Sequence, residues 1–213
     1  FAWAVNIPST AQANANLGNV NFETTCAPDA NAAFNEGLSL LHHMMYFQAE
    51  AVFVDAAQQS PDCAMLHWGQ AMSKFHPLWP GRPGPDVISA GKAAVERMNA
   101  ASAGSEKDQA FASAVTAFYD GEETPYPARI SAWAQAQAQA FEAFPESEDA
   151  TAFQALALLA SAPRGDKTLA NQRKAGALME ALNQTTTFHP GVYHYAIHAY
   201  DNPALYEKGV FFA

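Results

Sequence analysis

Residues 34–61, FNEGLSLLHHMMYFQAEAVFVDAAQQSP, have the pattern of two helices packed closely together. Its first half carries apolar residues at helical spacing, and small residues stand at Gly37, Ala49 and Ala56, on either side of Phe53 in the chain. Small residues let two helices approach closely, and an aromatic ring fills the space between them. A proline then ends the second helix. The stretch therefore predicts two antiparallel helices that cross at close range.

The same spacing, with its closing proline, is that of a tetratricopeptide repeat. A second unit begins at CAMLHWGQAM (63–72), where Ala71 takes the position of Gly37. Beyond this point the period blurs, so one clear repeat is followed by degenerate ones. We predict an all-α protein of antiparallel helix pairs, arranged as a short tetratricopeptide-like α-solenoid with a right-handed superhelix.

Helical periodicity extends over most of the chain, and proline, glycine or an N-cap residue marks each break. No window alternates apolar and polar residues between turn signals, so strands are not expected. The predicted helices are 28–45, 47–58, 62–75, 86–103, 106–119, 127–143, 148–161, 167–184 and 191–200. We expect 1–27 to form an irregular arm packed on a single helical domain, 28–213.

Charge and hydropathy exclude two classes of partner. The chain has 21 acidic and 11 basic residues, a net charge of −10, and no basic patch to neutralise phosphates, so nucleic acid is not an expected partner. No run approaches the roughly 18 apolar residues of a membrane-spanning helix, so no membrane span is expected. Homo-oligomerisation stays open, because nothing in the sequence marks a dimer face.

Three features favour a secreted or periplasmic protein. The chain begins at Phe1, without methionine or a signal-type region, which indicates a processed chain. Cys26 and Cys63 fit either one disulfide or two buried thiols. Asn183 opens an Asn-Gln-Thr glycosylation sequon, which is used only in a secreted eukaryotic protein.

Histidines supply the clearest chemistry. The stretch HPGVYHYAIHAYDNP (189–203) contains three of the seven, and His194 and His198 share one face of a helix at i, i+4 spacing. Two imidazoles at this spacing can bind one metal ion, as in helical zinc motifs, although no HExxH glutamate lies between them. Asp201, one turn further, could be a third ligand or could orient a ring.

Other histidines are expected to face inward. His42 lies on the apolar stripe of the first helix, whereas His43 lies on its polar side. A buried histidine is usually a hydrogen-bonded core residue, but several inward histidines can share one ion. The candidate metal ligands are His42, His194 and His198, followed by His76 and His189. Nitrogen ligands suit zinc, copper or nickel, and sulfur from methionine or Cys63 would favour copper.

Aromatic residues crowd the same segments, where most of them are expected to pack between helices. The proline-rigid loop HPLWPGRP (76–83) could cover a pocket in which Trp79 stacks on a flat ligand and Arg82 pairs with an anionic group. A metal with aromatic walls would suit a planar, metal-chelating molecule such as an organic chromophore. The candidate ligand-binding residues are Trp79, Trp68, Tyr46, Met72, Tyr193 and Arg82.

Four blocks carry a family resemblance: LGNVNFETTC (17–26), FNEGLSLLHHMMYFQAEAVF (34–53), SPDCAMLHWGQAMSKFHPLW (60–79) and HPGVYHYAIHAYDNP (189–203). They resemble signature blocks of a family of secreted or periplasmic tetratricopeptide-like proteins, which implies a fold more than an activity. Members usually continue with further repeats after the last block, and they more often carry a serine and aromatics after the first histidine of the HHMM stretch (42–45). In size and style the chain is also similar to the pink pigment proteins of oyster mushrooms, which implies a bound chromophore.

Two functions from different classes follow. The favoured one is a metal- and small-molecule-binding protein that uses an inward-facing histidine cluster, and the alternative is a tetratricopeptide-type interaction scaffold with structural histidines. A metal-dependent hydrolase or oxidase is a further alternative, since histidines and a water can form a catalytic site. No GxSxG, Walker or GxGxxG motif supports catalysis. The acidic residues Glu122, Glu123, Glu146, Glu148 and Asp149 are interpreted as solvated residues at helix ends.

Overall fold

The computed structural model describes residues 17–213. Their fold is all-α, as predicted. The helices are α1 (Pro28–His42), α2 (Tyr46–Gln59), α3 (Ala64–Met72), α4 (Pro85–Ala100), α5 (Glu106–Tyr119), α6 (Tyr126–Ala143), α7 (Glu148–Ala160), α8 (Ala170–Leu182), α9 (Pro190–Tyr200) and α10 (Tyr206–Gly209). Within the described residues no strand forms, and one isolated bridge joins Cys63 to Ser102. Each predicted helix has a counterpart in α1–α9. The four residues of α10 are too few to show a period.

Left-handed residues explain two of the differences between the predicted and observed helix boundaries. α1 ends at His42 rather than at 45, because Met44 adopts a φ of 55° and cannot continue the helix. Leu169, with a φ of 55°, likewise delays the start of α8 to Ala170. Neither position carries glycine, so the sequence gives no sign of the turn.

The helices pack in two layers. Helices adjacent in the chain pack against each other from α1 to α10. Among the odd-numbered helices, α1 packs on α3, α3 on α5 and α7 on α9, and α6 packs on both α5 and α7. The odd-numbered helices form the inner layer of a helical-repeat fold. α1 contacts α9 as well, which brings the two ends of the inner layer together.

Glycines allow the close helix crossings that the sequence predicts. A Cβ atom at Gly37 or Gly69 would lie 2.5 Å from the ring of Phe53, which is fully buried. Phe53 therefore fills a gap that only glycine leaves open. The same arrangement recurs further on, where Gly91 faces the ring of Tyr119.

Aromatic rings fill the interior of the inner layer. Phe22, which precedes α1, packs edge-on against Phe34 at 5.3 Å and against Phe111 at 5.0 Å between ring centroids. Trp68 from α3 contacts Phe111 and also Phe153 of α7, with centroids 5.9 and 5.7 Å apart. The segment from residue 17 onward thus reaches the core; the rest of the predicted arm, 1–16, lies outside the described residues.

A disulfide joins Cys26 to Cys63, with the Cα atoms 5.4 Å apart. It ties the segment before α1 to the start of α3 and leaves neither cysteine as a thiolate for a metal. None of the helices within residues 17–213 is both long and apolar enough to cross a membrane.

Candidate metal centre

Two adjacent histidines at the end of α1 belong to different environments. His42 has 0% of its surface exposed, and it lies with Asp149 and His189 in what we call the inner group. His43 is partly exposed, and its Nε2 lies 3.1 Å from the carbonyl oxygen of Leu17. The predicted inward position of His42 is therefore confirmed.

Helix ends hold the other members of the inner group in place. Asp149 lies in the first turn of α7, after the N-cap Ser147, where a helix favours negative charge. His189 is the N-cap of α9, and its Nδ1 accepts a hydrogen bond from the backbone N–H of Gly191 at 3.2 Å. A side chain at Gly191 would crowd the group, because a Cβ there would lie 2.9 Å from Nδ1 of His42.

Both histidines of the inner group bond to the same carboxylate oxygen. His42 Nε2 lies 2.9 Å and His189 Nε2 lies 3.2 Å from Oδ1 of Asp149. The hydroxyl of Tyr195 lies 3.0 Å from Nδ1 of His42. Every ring nitrogen of the group therefore has a partner.

One arrangement of protons satisfies all of these hydrogen bonds. The ionised Asp149 can only accept, so His42 and His189 each donate from Nε2. His189 Nδ1 then accepts from Gly191, and His42 Nδ1 accepts from Tyr195. Both imidazoles are neutral in this arrangement, and each carries its proton on Nε2.

Burial keeps these charge states in place. Burial lowers the pKa of His42 to about 4, although the hydrogen bond to Asp149 opposes the change. Burial acts to raise the pKa of Asp149, but the hydrogen bonds from His189 and His42 outweigh it and hold the pKa well below its usual value. At neutral pH His42 is therefore uncharged and Asp149 is ionised.

The distances alone would accommodate an ion in the inner group. One ligand atom from each of His42, Asp149 and His189 lies within 4.8 Å of the other two, so the group could hold a metal. A metal on Nε2 of His189 would require the ring proton to move to Nδ1, where it would face the N–H of Gly191. The hydrogen bonds of the inner group thus favour protons over an ion.

His194 and His198 of α9, which we call the outer pair, have the opposite arrangement. Their rings are nearly parallel, at 24°, with centroids 4.9 Å apart. His194 donates from Nδ1 to the backbone carbonyl of His42 at 2.9 Å, which leaves the lone pair on Nε2. His198 is exposed on the same face of α9.

Both rings of the outer pair are neutral at pH 7. Partial burial, helped by the neighbouring His198 and His43, lowers the pKa of His194 to about 4 against the opposing effect of its hydrogen bond to the carbonyl of His42. Partial burial also lowers the pKa of His198, and the charge of Asp201 opposes this. Protons therefore compete weakly with a metal for these nitrogens.

His76 lies apart from both sets, in the loop after α3. Its Nε2 donates to the carbonyl of Ser73 at 2.9 Å, and its ring stacks on Tyr46 at 4.3 Å between centroids. Trp79 packs on the same two rings and is 41% exposed. Of the predicted ligand residues, Tyr46 and Trp79 therefore lie side by side.

Arg82 lies near Trp79, since both line one cavity, whereas the remaining predicted residues lie in separate surroundings. Trp68 donates its indole N–H to the carbonyl of Phe111 at 3.0 Å, and it is buried in the core, as is Met72. Tyr193 is half-buried. The glycosylation candidate Asn183 is partly exposed, directly after α8.

Asp149 corrects one interpretation of the sequence. It does lie at a helix start, but it is 4% exposed and bonds to two histidines, so it is not a solvated residue. Asp149, Phe153 and Leu156 stand at i, i+4 and i+7, on one face of α7. Because Phe153 and Leu156 are apolar, this spacing indicates in the sequence that the carboxylate of Asp149 points inward.

Comparisons of the chain with models of protein families, with curated proteins and with solved structures found no match.

Proposed function

We propose that this protein binds one divalent transition metal ion through the outer pair, His194 and His198. The observation that carries the proposal is the hydrogen bond from His194 Nδ1 to the carbonyl of His42, at 2.9 Å. It fixes the tautomer whose Nε2 lone pair is available to a metal, and it fixes the direction of the ring. The inner group offers no such lone pair without moving protons.

The outer pair would act as a bidentate ligand. Bonds of about 2.0–2.1 Å from each imidazole would bring the two Nε2 atoms within about 4 Å of each other, which nearly parallel rings on one helix face allow. Because both ligands are imidazoles, copper(II) is expected to bind more tightly than nickel or zinc. Calcium and magnesium are disfavoured, since they require several oxygen ligands.

The inner group supports this function by holding the residue that orients His194. Asp149 and Tyr195 hold the ring of His42, and the backbone carbonyl of His42 accepts the hydrogen bond from Nδ1 of His194. A rigid acceptor orients the metal ligand before the ion arrives, and such supporting partners typically change metal affinity by roughly 10- to 100-fold. The inner group is therefore structural, and the outer pair binds the metal.

The packing of the inner layer favours metal binding over a peptide-binding scaffold. Repeat proteins of this type usually bind partners on an inner, concave face. Here the rings of Phe34, Trp68, Phe111 and Phe153 contact each other in the interior of the inner layer. The Cys26–Cys63 disulfide supports a secreted or periplasmic location, because disulfides persist in oxidising compartments.

Calorimetric titration of copper(II), nickel(II) and zinc(II) into metal-free protein tests the proposal. The wild-type protein should bind one equivalent of copper(II), and His194→Ala or His198→Ala should each weaken binding by about 100-fold or more. His76→Gln is the matched control, since it removes a histidine outside the pair, and its affinity should equal that of the wild type. Equal affinity in the wild type and His198→Ala would contradict the proposal.

A further inference from the structure

A cavity lies between the proline-rich loop and the helices α6 and α7. The loop residues from Pro77 to Arg82 face Tyr126 and Ile130 at the start of α6, and the segment 160–164 closes the third side. The cavity has a volume of about 620 Å³, within the range of roughly 300–1,000 Å³ typical of small-molecule sites. It shares no lining residue with the inner group or the outer pair.

The lining is cationic in an acidic protein. Arg82 and Arg164 both line the cavity, although the chain has only 11 basic residues and a net charge of −10. Among the described residues that line it, none is acidic. Two guanidinium groups without an acidic partner in the cavity can bind a carboxylate, sulfonate or phosphate group, each through paired N–H donors.

The aromatic part of the lining is held in position. Trp79 is 41% exposed, and its ring packs against Tyr46 at 5.3 Å and His76 at 4.7 Å, which limits its rotation. The guanidinium group of Arg82 lies over the ring of Tyr126, 5.5 Å from the ring centre. A flat ring can therefore meet the indole of Trp79 and the charge of Arg82 at the same time.

The geometry points to a site for a planar aromatic anion in this cavity, with Trp79 stacking on the ring system and Arg82 and Arg164 binding the acidic group. Proline residues in the loop reduce the conformational freedom lost on binding, which favours a preformed site. The site is independent of the outer pair, so it stands whether or not the protein binds a metal. Its ligand class is a fused-ring carboxylate or sulfonate.

Binding of 2-naphthoate to the intact protein, followed by tryptophan fluorescence and calorimetry, tests this inference, with the neutral 2-naphthamide as the matched probe. One equivalent of 2-naphthoate should bind, and the amide should bind at least about tenfold more weakly, because a charge-assisted hydrogen bond contributes more than about 1.4 kcal/mol, a factor of ten. The double variant Arg82→Gln/Arg164→Gln should lose at least about tenfold in affinity for the anion.

Two variants complete the test. Trp79→Leu should weaken both probes, because it removes the stacking surface that they share. Arg173→Gln, which removes an arginine outside the cavity, should bind 2-naphthoate as the wild type does. All four substituted side chains are exposed, so unchanged thermal melting verifies the fold. No saturable binding of 2-naphthoate, equal affinity for the two probes, or equal affinity in the wild type and the double arginine variant would overturn the inference.

Discussion

The inner group and the outer pair both contain histidines, but they differ in burial and in hydrogen bonding. In the inner group, four hydrogen bonds use every nitrogen of His42 and His189, and neither ring has exposed surface. In the outer pair, the one hydrogen bond of His194 goes to the carbonyl of His42, and its partner His198 is exposed. The two sets meet at a single residue, since His42 belongs to the first and orients the second.

This difference assigns a role in stability to the inner group and a role in binding to the outer pair. A buried imidazole with all its partners stabilises one arrangement of α1, α7 and α9, and it has no electron pair left for an ion. A partly buried imidazole with one oriented nitrogen keeps its other nitrogen for a ligand. The number of histidines near one another is therefore less informative than where their protons are held.

The largest expected effect is on the inner group. Asp149→Ala leaves two buried imidazole N–H donors without their acceptor, and it should lower the free energy of unfolding by about 2–6 kcal/mol, because each buried donor without a partner costs about 1–3 kcal/mol. Urea denaturation at pH 7 measures the change. Glu148→Ala, which removes the neighbouring carboxylate from the same helix turn, should cost less than about 1 kcal/mol. Equal losses in the two variants would refute the role assigned to Asp149.

Acid should destabilise the protein through the same group. The pKa of His42 is about 4 in the folded protein and 6.5 for an unperturbed histidine, so the unfolded chain binds more protons between these values. Its contribution is complete above pH 6.5 and should decrease by about 3 kcal/mol as the pH falls to 4. The free energy of unfolding, measured in urea at half-unit steps, reports this window. The dependence should be weaker in His42→Gln, and an identical profile in that variant would argue against a neutral His42.

Metal should stabilise the protein through the outer pair. At a free copper(II) concentration of 100 times the Kd, binding to the folded state alone adds about 2.7 kcal/mol to the free energy of unfolding. The melting temperature should therefore rise with copper(II) in the wild type and not in His198→Ala. A similar rise in both proteins would mean that copper(II) binds outside the outer pair.

The smallest expected effect is that of His198→Ala without metal. The side chain is exposed, so the free energy of unfolding should change by no more than about 0.5 kcal/mol. Urea denaturation with a chelator present measures it. A loss of several kcal/mol would mean that the outer pair is structural, like the inner group.

The sequence predicts the helices better than the site. The repeat spacing around Phe53 predicts the crossing of α1 and α2, and caps and prolines predict most helix ends, because these signals are local. The outer pair is also local, since four residues separate its members on α9. The inner group is not, because Asp149 joins His42 across 107 residues and His189 across 40. Only tertiary packing brings these three residues together.

The sequence predicts the cavity only in part. The loop at 76–83 and its Trp79 and Arg82 can be recognised from the sequence as a rigid segment with stacking and charged side chains. Arg164 cannot, because it lies 82 positions from Arg82 in an ordinary turn between α7 and α8. The second half of the cationic lining therefore appears only when the helices pack.

Nitrogen-15 NMR of the histidine side chains during a zinc titration tests the central claim most directly, because it reports the proton and the metal on each nitrogen. We expect His42 and His189 to keep protons on Nε2 throughout, and zinc to shift the Nε2 signals of His194 and His198 up to one equivalent. Loss of the Nε2 protons of His42 and His189 on adding zinc, with the signals of His194 and His198 unchanged, would contradict metal binding by the outer pair.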